Sequence, residues 1–251
     1  MSGPATDRRV VAVTGAGGAL GAAIAQRLAG EPGTDLVLSD VDGRSLQATV
    51  DGLPPTGGGV EAVLADVGDP EQVEAVVARA VARFGRLDVA IGNAGVLTPS
   101  GRVHNVPTED WERAFRVNVM GAVNCVRAAV PVMRRQRSGS IVLTASVSGL
   151  TAWSHAAPYC ATKAAVIQLT KVAAVEYARD GIRVNCVCPG TFRSAIHDDL
   201  PPGALDAIAA RHPLGLGTAA DLAGAYSYLA GPGSRWTTGT ALVVDGGYSA
   251  P

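Results

Sequence analysis

The sequence has no excess of either charge and no long hydrophobic run. Its 251 residues carry 21 Lys and Arg against 22 Asp and Glu, which argues against a broad basic surface for nucleic acid or anionic lipid. No stretch approaches the roughly 18 apolar residues that a membrane span needs. The first residues, MSGPATDRR, are polar and lack the apolar core of a signal peptide. We therefore expect a cytoplasmic protein with neither a nucleic-acid nor a membrane partner.

Cysteine is also scarce, and its spacing does not match the common metal and redox motifs. The four cysteines stand at positions 125, 160, 186 and 188, with no second Cys or His pair at zinc-ligand spacing. Cys186 and Cys188 share one face of a predicted strand, which is compatible with metal or redox chemistry, but CxC is not the redox CxxC motif. We predict buried free thiols and no metal site.

Short apolar runs alternate with helix-like segments along the whole chain. The runs are β-branched and bounded by Gly, Asp, Asn or Pro, as is typical of buried strands. The predicted strands are Val10–Val13, Leu36–Leu38, Val60–Leu64, Leu87–Ile91, Ile141–Leu143, Val184–Val187 and Ala241–Val244. The predicted helices include Pro70–Phe84, Thr108–Arg137, Pro158–Arg179 and Asp221–Leu229.

This alternation predicts an α/β protein with a parallel sheet covered by helices on both faces. Right-handed crossovers then give a doubly wound, Rossmann-type sheet of about seven strands. Because no long linker interrupts the pattern, we predict one domain over residues 1–251, with a flexible N-terminus at 1–8 and a substrate lid at 191–217. Ligands of such sheets bind at the carboxyl ends of the strands.

A glycine-rich turn, TGAGGALG, runs from Thr14 to Gly21 between the first predicted strand and a helix-like segment. Such a junction exposes backbone N–H groups at the positive end of a helix dipole, where a pyrophosphate binds well. The strict G-x-G-x-x-G spacing is not met, because Leu20 stands where the third glycine belongs. A purely structural turn is the alternative interpretation.

Asp40 ends the second predicted strand and bears on the choice of cofactor. A carboxylate there can accept hydrogen bonds from the adenosine ribose and would repel a 2′-phosphate. No Arg or Lys occupies Ala16–Leu20 or Val41 to bind that phosphate. The pattern favours NAD over NADP, with a helix N-cap before Val41–Val50 as the alternative role.

Tyr159 and Lys163 stand four residues apart and therefore share one face of a predicted helix. A tyrosine has a pKa of about 10 and is a poor base at neutral pH. A neighbouring ammonium, together with an oxidised nicotinamide, would stabilise the phenolate and lower that pKa. The spacing alone favours an ordinary Tyr/Lys pair on a surface helix.

These features belong to a longer series of motifs: Thr14-Gly15 to Gly21, Asn93-Ala94-Gly95, Asn118, Ser146, Tyr159-x3-Lys163, Pro189-Gly190 and Asp245-Gly246-Gly247. Their order and spacing resemble those of the short-chain dehydrogenase/reductase family over nearly the whole chain, from Arg9 to Gly247. The resemblance implies that Tyr159 is the general acid/base and that Lys163 lowers its pKa and holds the nicotinamide ribose. It further implies that Ser146 steadies the substrate oxygen and that Asn118 supports a proton relay through water.

The resemblance also implies a cofactor site, whose residues are Gly15, Gly17, Ala19, Leu20, Gly21, Asp40, Asp66, Val67, Asn93, Ala94, Gly95, Tyr159, Lys163, Pro189, Gly190, Phe192 and Ser194. The sequence departs from the family pattern in four places. Ala19 replaces a usual glycine, Gly92 a frequent asparagine and Ala145 a frequent serine. The segment 213–217 is one residue short and lacks the usual arginine, which leaves its loop geometry open.

Substrate is expected among Ser146–His155, Leu97–Ser100 and the residues after Pro189. We name Ser148, Trp153 and His155 as substrate-binding, although Trp153 packing on a helix and a solvated His155 are alternatives. His197, Asp198 and Asp199 fall in the expected lid, without support for a metal site.

The family is commonly tetrameric, so the resemblance implies a homotetramer paired through the helices Thr108–Arg137 and Pro158–Arg179. A basic cluster, Met133–Arg137, ends the first of them. It either complements the helix dipole or docks an acidic acyl-carrier protein.

The combined prediction is reversible oxidation of a secondary alcohol to a ketone with NAD. Two alternatives remain open. One is an NADPH-dependent 3-oxoacyl thioester reductase, against which Asp40 argues. The other is a non-catalytic NAD-binding sensor or scaffold, against which the complete set of Asn118, Ser146, Tyr159 and Lys163 argues.

Overall fold

The computed structural model describes residues 8–55, 57–99, 101–194 and 203–250. Within them, seven strands form one sheet: β1 (Arg9–Thr14), β2 (Thr34–Asp40), β3 (Val60–Leu64), β4 (Val89–Gly92), β5 (Gly139–Thr144), β6 (Ile182–Pro189) and β7 (Ala241–Val244). The α-helices are α1 (Ala19–Ala29), α2 (Gly43–Asp51), α3 (Pro70–Phe84), α4 (Thr108–Ala114), α5 (Gly121–Gln136), α6 (Ala157–Tyr177), α7 (Ala204–Ala209) and α8 (Ala219–Ala230). Every predicted strand is present.

All neighbouring strands are parallel, in the order β3-β2-β1-β4-β5-β6-β7. The chain therefore builds the sheet outward from β1 in one direction and then from β4 in the other. The point between β1 and β4, where the direction reverses, is where ligands of doubly wound sheets bind. The predicted Rossmann-type architecture is confirmed.

Each face of the sheet has its own apolar core. In β1, Val10 and Ala12 point to one face and Val11 and Val13 to the other, as strand alternation requires. The first core packs α3, α5 and α6 against the sheet, and the second packs α1 and α8. Because both faces are covered, the strands carry almost continuous apolar residues.

The single helix predicted over Thr108–Arg137 is wrong in detail. A π-helical turn, Phe115–Met120, separates α4 from α5. The helix ends at Gln136, and Arg137 adopts a left-handed conformation with a φ of 57°. A π turn inserts an extra residue into the helical ladder and re-aims the side chains within it, and such turns are frequent at functional sites.

Several expectations fall wholly or partly outside the described residues. These include the N-terminus apart from Arg8, Ser100 of the substrate region, and the lid residues His197, Asp198 and Asp199. Arg8, expected within a flexible terminus, forms an ion pair with Asp35. The remainder of the predicted lid contains α7 and the segment that leads to α8.

All four cysteines are free thiols, and Cys125, Cys186 and Cys188 are buried, as expected, whereas Cys160 is only half-buried. Burial in apolar surroundings raises the pKa of the Cys125 thiol to about 12. Among the described residues, no cluster of three or more His, Cys, Asp or Glu side chains has the arrangement of a metal site. Across the same ranges, no helix is both long and apolar enough to cross a membrane.

Candidate active site

The glycine-rich turn lies at the carboxyl end of β1, beside the reversal point of the sheet. Gly15 has a φ of +66°, and a Cβ at this position would lie 2.6 Å from the Cα of Ala94. A Cβ on Gly21 would overlap the carbonyl oxygen of Gly15. These two positions therefore require glycine, because the turn folds tightly against α1 and against the segment after β4.

The first turn of α1 offers backbone N–H groups to an anion. Its N-cap is Gly18, which has no side chain to bond them, and no acidic residue lies in that turn. Ala19 is the first helical residue, and it is exposed. The uncapped positive helix end and the glycine-lined backbone fit the diphosphate of a nicotinamide dinucleotide.

Asn93 joins the carboxyl ends of three strands. Its Nδ2 donates to the carbonyl oxygens of Thr14, at 3.2 Å, and Gly15, at 3.0 Å, and its Oδ1 accepts from the Thr144 hydroxyl at 3.2 Å. It thereby fixes the glycine turn relative to β4 and β5. Ala94 and Gly95 follow directly, so the NAG motif lies against the same turn.

Asp40 lies half-buried at the end of β2, with its carboxylate directed at the glycine turn. Its Oδ2 accepts from the Gly17 N–H at 2.9 Å, and its Oδ1 accepts from the Asp42 N–H at 3.0 Å. The alternative role of Asp40 as the cap of the next helix is wrong. Asp42 is the N-cap of α2, and it accepts from the Arg44 N–H at 2.9 Å.

Asp66 and Val67 follow β3, and both are held by neighbouring elements. The Asp66 carboxylate forms an ion pair with Arg116 at 2.6 Å and accepts from the Gly68 N–H at 2.8 Å. These contacts lower the pKa of Asp66, with the Arg116 hydrogen bond as the largest cause. The Val67 carbonyl accepts from Asn124 of α5 at 2.9 Å.

The Ser146 and Tyr159 hydroxyls lie on either side of the loop that joins β5 to α6. Ser146 is buried, and its Oγ accepts from the Ser148 N–H at 3.1 Å in a short 3-10 turn. Burial raises the pKa of Tyr159 to about 12, while a hydrogen bond with Ser146 acts in the opposite direction. Without a bound cofactor the net shift of this pKa is therefore upward, and its lowering by Lys163 together with an oxidised nicotinamide stays a prediction.

Lys163 lies one helical turn beyond Tyr159, and its ammonium is buried with it. Its Nζ is 5.6 Å from the centroid of the Tyr159 ring and donates to the Thr144 carbonyl at 2.8 Å. Burial lowers the pKa of Lys163 to about 8, so the ammonium is held in the range where it can exchange a proton near neutral pH.

The Asn118 side chain lies in the π turn and holds the segment after the NAG motif. Its Oδ1 accepts from the Val96 N–H at 2.7 Å, and its Nδ2 donates to the Val96 carbonyl at 3.0 Å and to the Thr162 hydroxyl at 3.1 Å. The amide thus links the π turn to α6 next to Lys163. A Cβ built on Gly95 would lie 3.3 Å from both Asn118 Oδ1 and Lys163 Nζ, so the three residues adjoin.

The segment after β6, from Pro189 to Ser194, is held from two sides. The Gly190 N–H donates to the Val244 carbonyl at 2.9 Å, and Phe192 bridges to Gly217. Phe192 packs against the second core, and Ser194 is half-buried. The short segment 213–217 therefore does have a defined geometry, paired to the stretch that is expected to lie over the nicotinamide.

Sequence reasoning missed His212, which connects this segment to α7. The Nε2 of His212 accepts from the Thr191 N–H at 3.1 Å, and its Nδ1 bonds the Ile208 carbonyl at 2.9 Å. The imidazole is buried, and both of its nitrogens are used. No local motif marks this histidine, since the contact that ties it to the segment after β6 is made by Thr191, which is distant in sequence.

The three predicted substrate residues differ in their surroundings. Ser148 is buried, and its hydroxyl has no partner among the described residues. The indole N–H of Trp153 is buried and equally unpartnered within them, and its ring packs edge-on against Tyr248 at a centroid distance of 6.1 Å. His155 is exposed, with its Nδ1 at 2.7 Å from the Ser154 hydroxyl, which suits a loop histidine better than a pocket residue.

The sheet order, the glycine turn and the Ser146–Tyr159–Lys163 group define a Rossmann-type oxidoreductase site. A family model described as Enoyl-(Acyl carrier protein) reductase matches residues 15–249. Cis-4-hydroxycyclohexanecarboxylate dehydrogenase of Sinomonas cyclohexanicum is 37% identical over 249 residues, which cover 99% of each chain. Cyclohexanol dehydrogenase of Acinetobacter sp. (strain SE19) is 34% identical, covering 97% of this chain and 96% of the relative.

Solved structures with a similar fold come from the same kind of enzyme. The crystal structure of a short-chain type dehydrogenase/reductase from Mycobacterium marinum superposes with a TM-score of 0.91 at 33% identity, covering 97% of this chain and 96% of that one. The chain belongs to the short-chain dehydrogenase/reductase family, whose dehydrogenases use nicotinamide cofactors.

Proposed function

We propose that the protein catalyses the reversible, NAD-dependent oxidation of a secondary alcohol to a ketone. The observation that carries this proposal is the group formed by the buried Ser146 and Lys163 with the half-buried Tyr159 at the carboxyl edge of the sheet. It adjoins a glycine turn that fits a dinucleotide. The named relatives, which oxidise a cyclohexanol or a hydroxycyclohexanecarboxylate, support the same substrate class.

Each side chain has a separate task in this reaction. A nicotinamide dinucleotide held by the glycine turn, Asp40 and Lys163 would supply hydride acceptance in oxidation and hydride donation in reduction. Tyr159 receives the hydroxyl proton during oxidation and donates a proton to the carbonyl oxygen during reduction. Ser146 donates a hydrogen bond to that oxygen, and the Lys163 ammonium stabilises negative charge on the phenol oxygen.

Asp40 supports NAD as the cofactor. Its carboxylate lies at the glycine turn, bonded to the Gly17 N–H, where the adenosine ribose of a Rossmann-bound dinucleotide is placed. It would accept hydrogen bonds from the two ribose hydroxyls and repel a 2′-phosphate. Of the remaining cofactor residues, those after β1 would contact the diphosphate, those after β3 the adenine, those after β4 the adenosine ribose, and those after β6 the nicotinamide.

The acyl-carrier alternative receives less support from the surface. Within the basic cluster Met133–Arg137, Arg134 forms an ion pair with Asp180 at 3.1 Å, and Arg137 lies 3.9 Å from the same carboxylate. These cations are already partly neutralised, which weakens the argument for an acidic docking partner.

A panel of acyclic and cyclic secondary alcohols, assayed with NAD+ and NADP+ at 340 nm, tests the proposal. We expect NADH formation that falls by at least about a thousandfold in Tyr159→Phe, since general acid/base catalysis and the orientation of the oxygen are lost together. Tyr177→Phe, at the other end of α6, removes a phenol hydroxyl far from the site and serves as the matched control.

NAD binding, followed by fluorescence, should be retained by Tyr159→Phe, which shows that the variant folds. A preference for NADP would instead support the thioester reductase. NAD binding without turnover over the whole panel would support a sensor or scaffold.

We further propose the homotetramer that the family resemblance implies. Val172 and Val175 of α6 are exposed, and Val175 retains 81% of its accessible surface, which is unfavourable for an apolar residue on a free helix face. Light scattering coupled to size exclusion should give about four times the 25.4 kDa chain mass, and a 25.4 kDa particle would contradict the assembly. The cytoplasmic location stays a prediction.

A further inference from the structure

Two buried polar groups next to the catalytic loop have no partner among the described residues. They are the indole N–H of Trp153 and the phenol hydroxyl of Tyr248. Their rings meet edge-on, at an interplanar angle of 69°, yet the polar atoms do not bond to one another. A buried hydrogen-bonding group without a partner is costly, so native proteins usually provide it with one.

The neighbouring His212 does not satisfy them. The His212 ring lies 4.7 Å from the ring of Tyr248, but its two nitrogens are occupied by Thr191 and Ile208. The hydroxyl of Thr191 is itself buried and unpartnered within the described ranges. Several buried hydrogen-bonding groups in this one region therefore lack a partner among the described residues.

A cation accompanies them. The Arg211 guanidinium stacks over the Tyr248 ring with its Cζ 4.7 Å from the centroid. The described part of the chain contains no carboxylate within ion-pair distance of Arg211. Stacking on an aromatic face holds a guanidinium in a fixed orientation while its N–H groups remain available.

The group lies close to the loop that carries the reacting side chains. Trp153 belongs to the loop between Ser146 and α6, and its carbonyl oxygen lies 3.9 Å from the Sγ of Cys160, next to Tyr159. Tyr248 follows the glycines after β7, where the backbone of Asp245 closely approaches Gly190. The loops after β5, β6 and β7 therefore meet around these side chains.

We propose that Trp153, Tyr248 and Arg211 form a subsite for a carboxylate on the substrate, so that the protein acts on hydroxy acids and the corresponding keto acids. The inference rests on the proposed alcohol oxidation and specifies its substrate class. An indole N–H and a guanidinium only donate hydrogen bonds, and the phenol can donate one as well. Three donors, one of them cationic, match the acceptor oxygens of a carboxylate better than they match a neutral alkyl group.

The kinetic test compares acids with their methyl esters. The substrates are 3-hydroxybutyrate, 4-hydroxycyclohexanecarboxylate and 4-(1-hydroxyethyl)benzoate, each beside its ester, with NAD+. The variants are Trp153→Phe, Tyr248→Phe and Arg211→Gln, which keep the rings or the side-chain length. Arg179→Gln, at the opposite edge of the sheet, and Tyr177→Phe are the matched controls.

We expect the wild type to prefer at least one acid over its ester, and each subsite variant to lower kcat/KM for that acid about ten- to a hundredfold through KM. Turnover of the ester should change less than about threefold, and the controls should behave as wild type. The inference is overturned if the esters are preferred throughout, or if a variant lowers acid and ester equally.

A second measurement does not depend on turnover. The chain has three tryptophans, so the indole N–H resonances of 15N-labelled protein are few, and Trp153→Phe identifies the one from Trp153. Adding cyclohexanecarboxylate, which cannot be oxidised, should shift that resonance downfield, and cyclohexanol should not. The shift should weaken in Arg211→Gln.

The two proposals fail in distinguishable ways. If neutral alcohols and esters are oxidised while acids are not, and cyclohexanecarboxylate does not shift the Trp153 resonance, only the carboxylate subsite is wrong. If no hydroxy compound is oxidised with either cofactor, the proposed function is wrong. In that case the resonance alone decides whether the subsite binds carboxylates, and an unshifted signal overturns it.

Discussion

The carboxylate of Asp40 gives this site a measurable effect on cofactor choice. Replacing it by Asn removes one negative charge and keeps the side-chain shape. The amide oxygen still accepts from the Gly17 N–H, which Asp40 Oδ2 bonds at 2.9 Å, so the glycine turn should keep its conformation. The change therefore isolates the charge from the fold.

The magnitude follows from Coulomb's law for a half-buried group. A unit charge about 5 Å from a phosphate oxygen contributes about 1 to 3 kcal/mol at effective dielectric constants between about 80 and 20. Loss of this repulsion should raise kcat/KM with NADP+ by about 5- to 150-fold. Loss of charge-assisted hydrogen bonds to the ribose should lower kcat/KM with NAD+ by about ten- to a hundredfold.

The assay is the ratio of kcat/KM for the two cofactors at low ionic strength, where screening is weak, with a repeat at high salt. Asp51→Asn, which removes an exposed carboxylate from the far end of α2, controls for net charge. If Asp40→Asn left the ratio within about twofold of wild type, or if Asp51→Asn changed it as much, the ribose assignment of Asp40 would be refuted.

Three further outcomes follow from particular contacts. Burial raises the pKa of Tyr159 to about 12, and oxidation needs its phenolate, so kcat/KM for the alcohol should rise from about pH 7 to about pH 10. Because ketone reduction needs the neutral phenol, kcat/KM for the ketone should not rise over this range. A flat oxidation profile would contradict this prediction. Gly21→Ala forces a methyl group into the Gly15 carbonyl and should cost at least ~2 kcal/mol of unfolding free energy by chemical denaturation. Gly18→Ala, whose Cβ would lie 3.6 Å from the same carbonyl oxygen in ordinary van der Waals contact, should cost less than half as much. Thr218→Ala removes the capping box of α8 and should lower Tm by about 2 to 4 °C, and an unchanged Tm would show that this cap is redundant.

Much of the fold was predictable because buried parallel strands and amphipathic helices leave local patterns. Composition and periodicity alone predicted the observed bounds of two strands and one helix, which are Val60–Leu64, Ala241–Val244 and Pro70–Phe84. Boundaries were less certain where a longer-range contact decided them. The cap of α2 is Asp42 rather than Asp40, because the Asp40 carboxylate is bonded instead to the glycine turn.

In the candidate site, too, local features could be predicted and features set by longer-range contacts could not. Tyr159 and Lys163 could be paired from their spacing, since four residues make one helical turn, and Asn93 could be placed because it follows a strand. Their protonation could not be predicted, because the pKa of Tyr159 depends on how completely the packed chain removes it from water.

The sequence alone determined what kind of sheet would form, through the order of its apolar runs and helices. It also determined that Tyr159 and Lys163 would share one face of a helix, through their spacing. Only the tertiary structure brought Tyr248 and Arg211 to Trp153, and only it placed the Asn118 amide against Val96. The periodicity of apolar residues in the sequence reflects contacts within a helical turn or along a strand. Contacts between loops distant in sequence leave no such record, because they exist only after the strands have brought those loops to one edge.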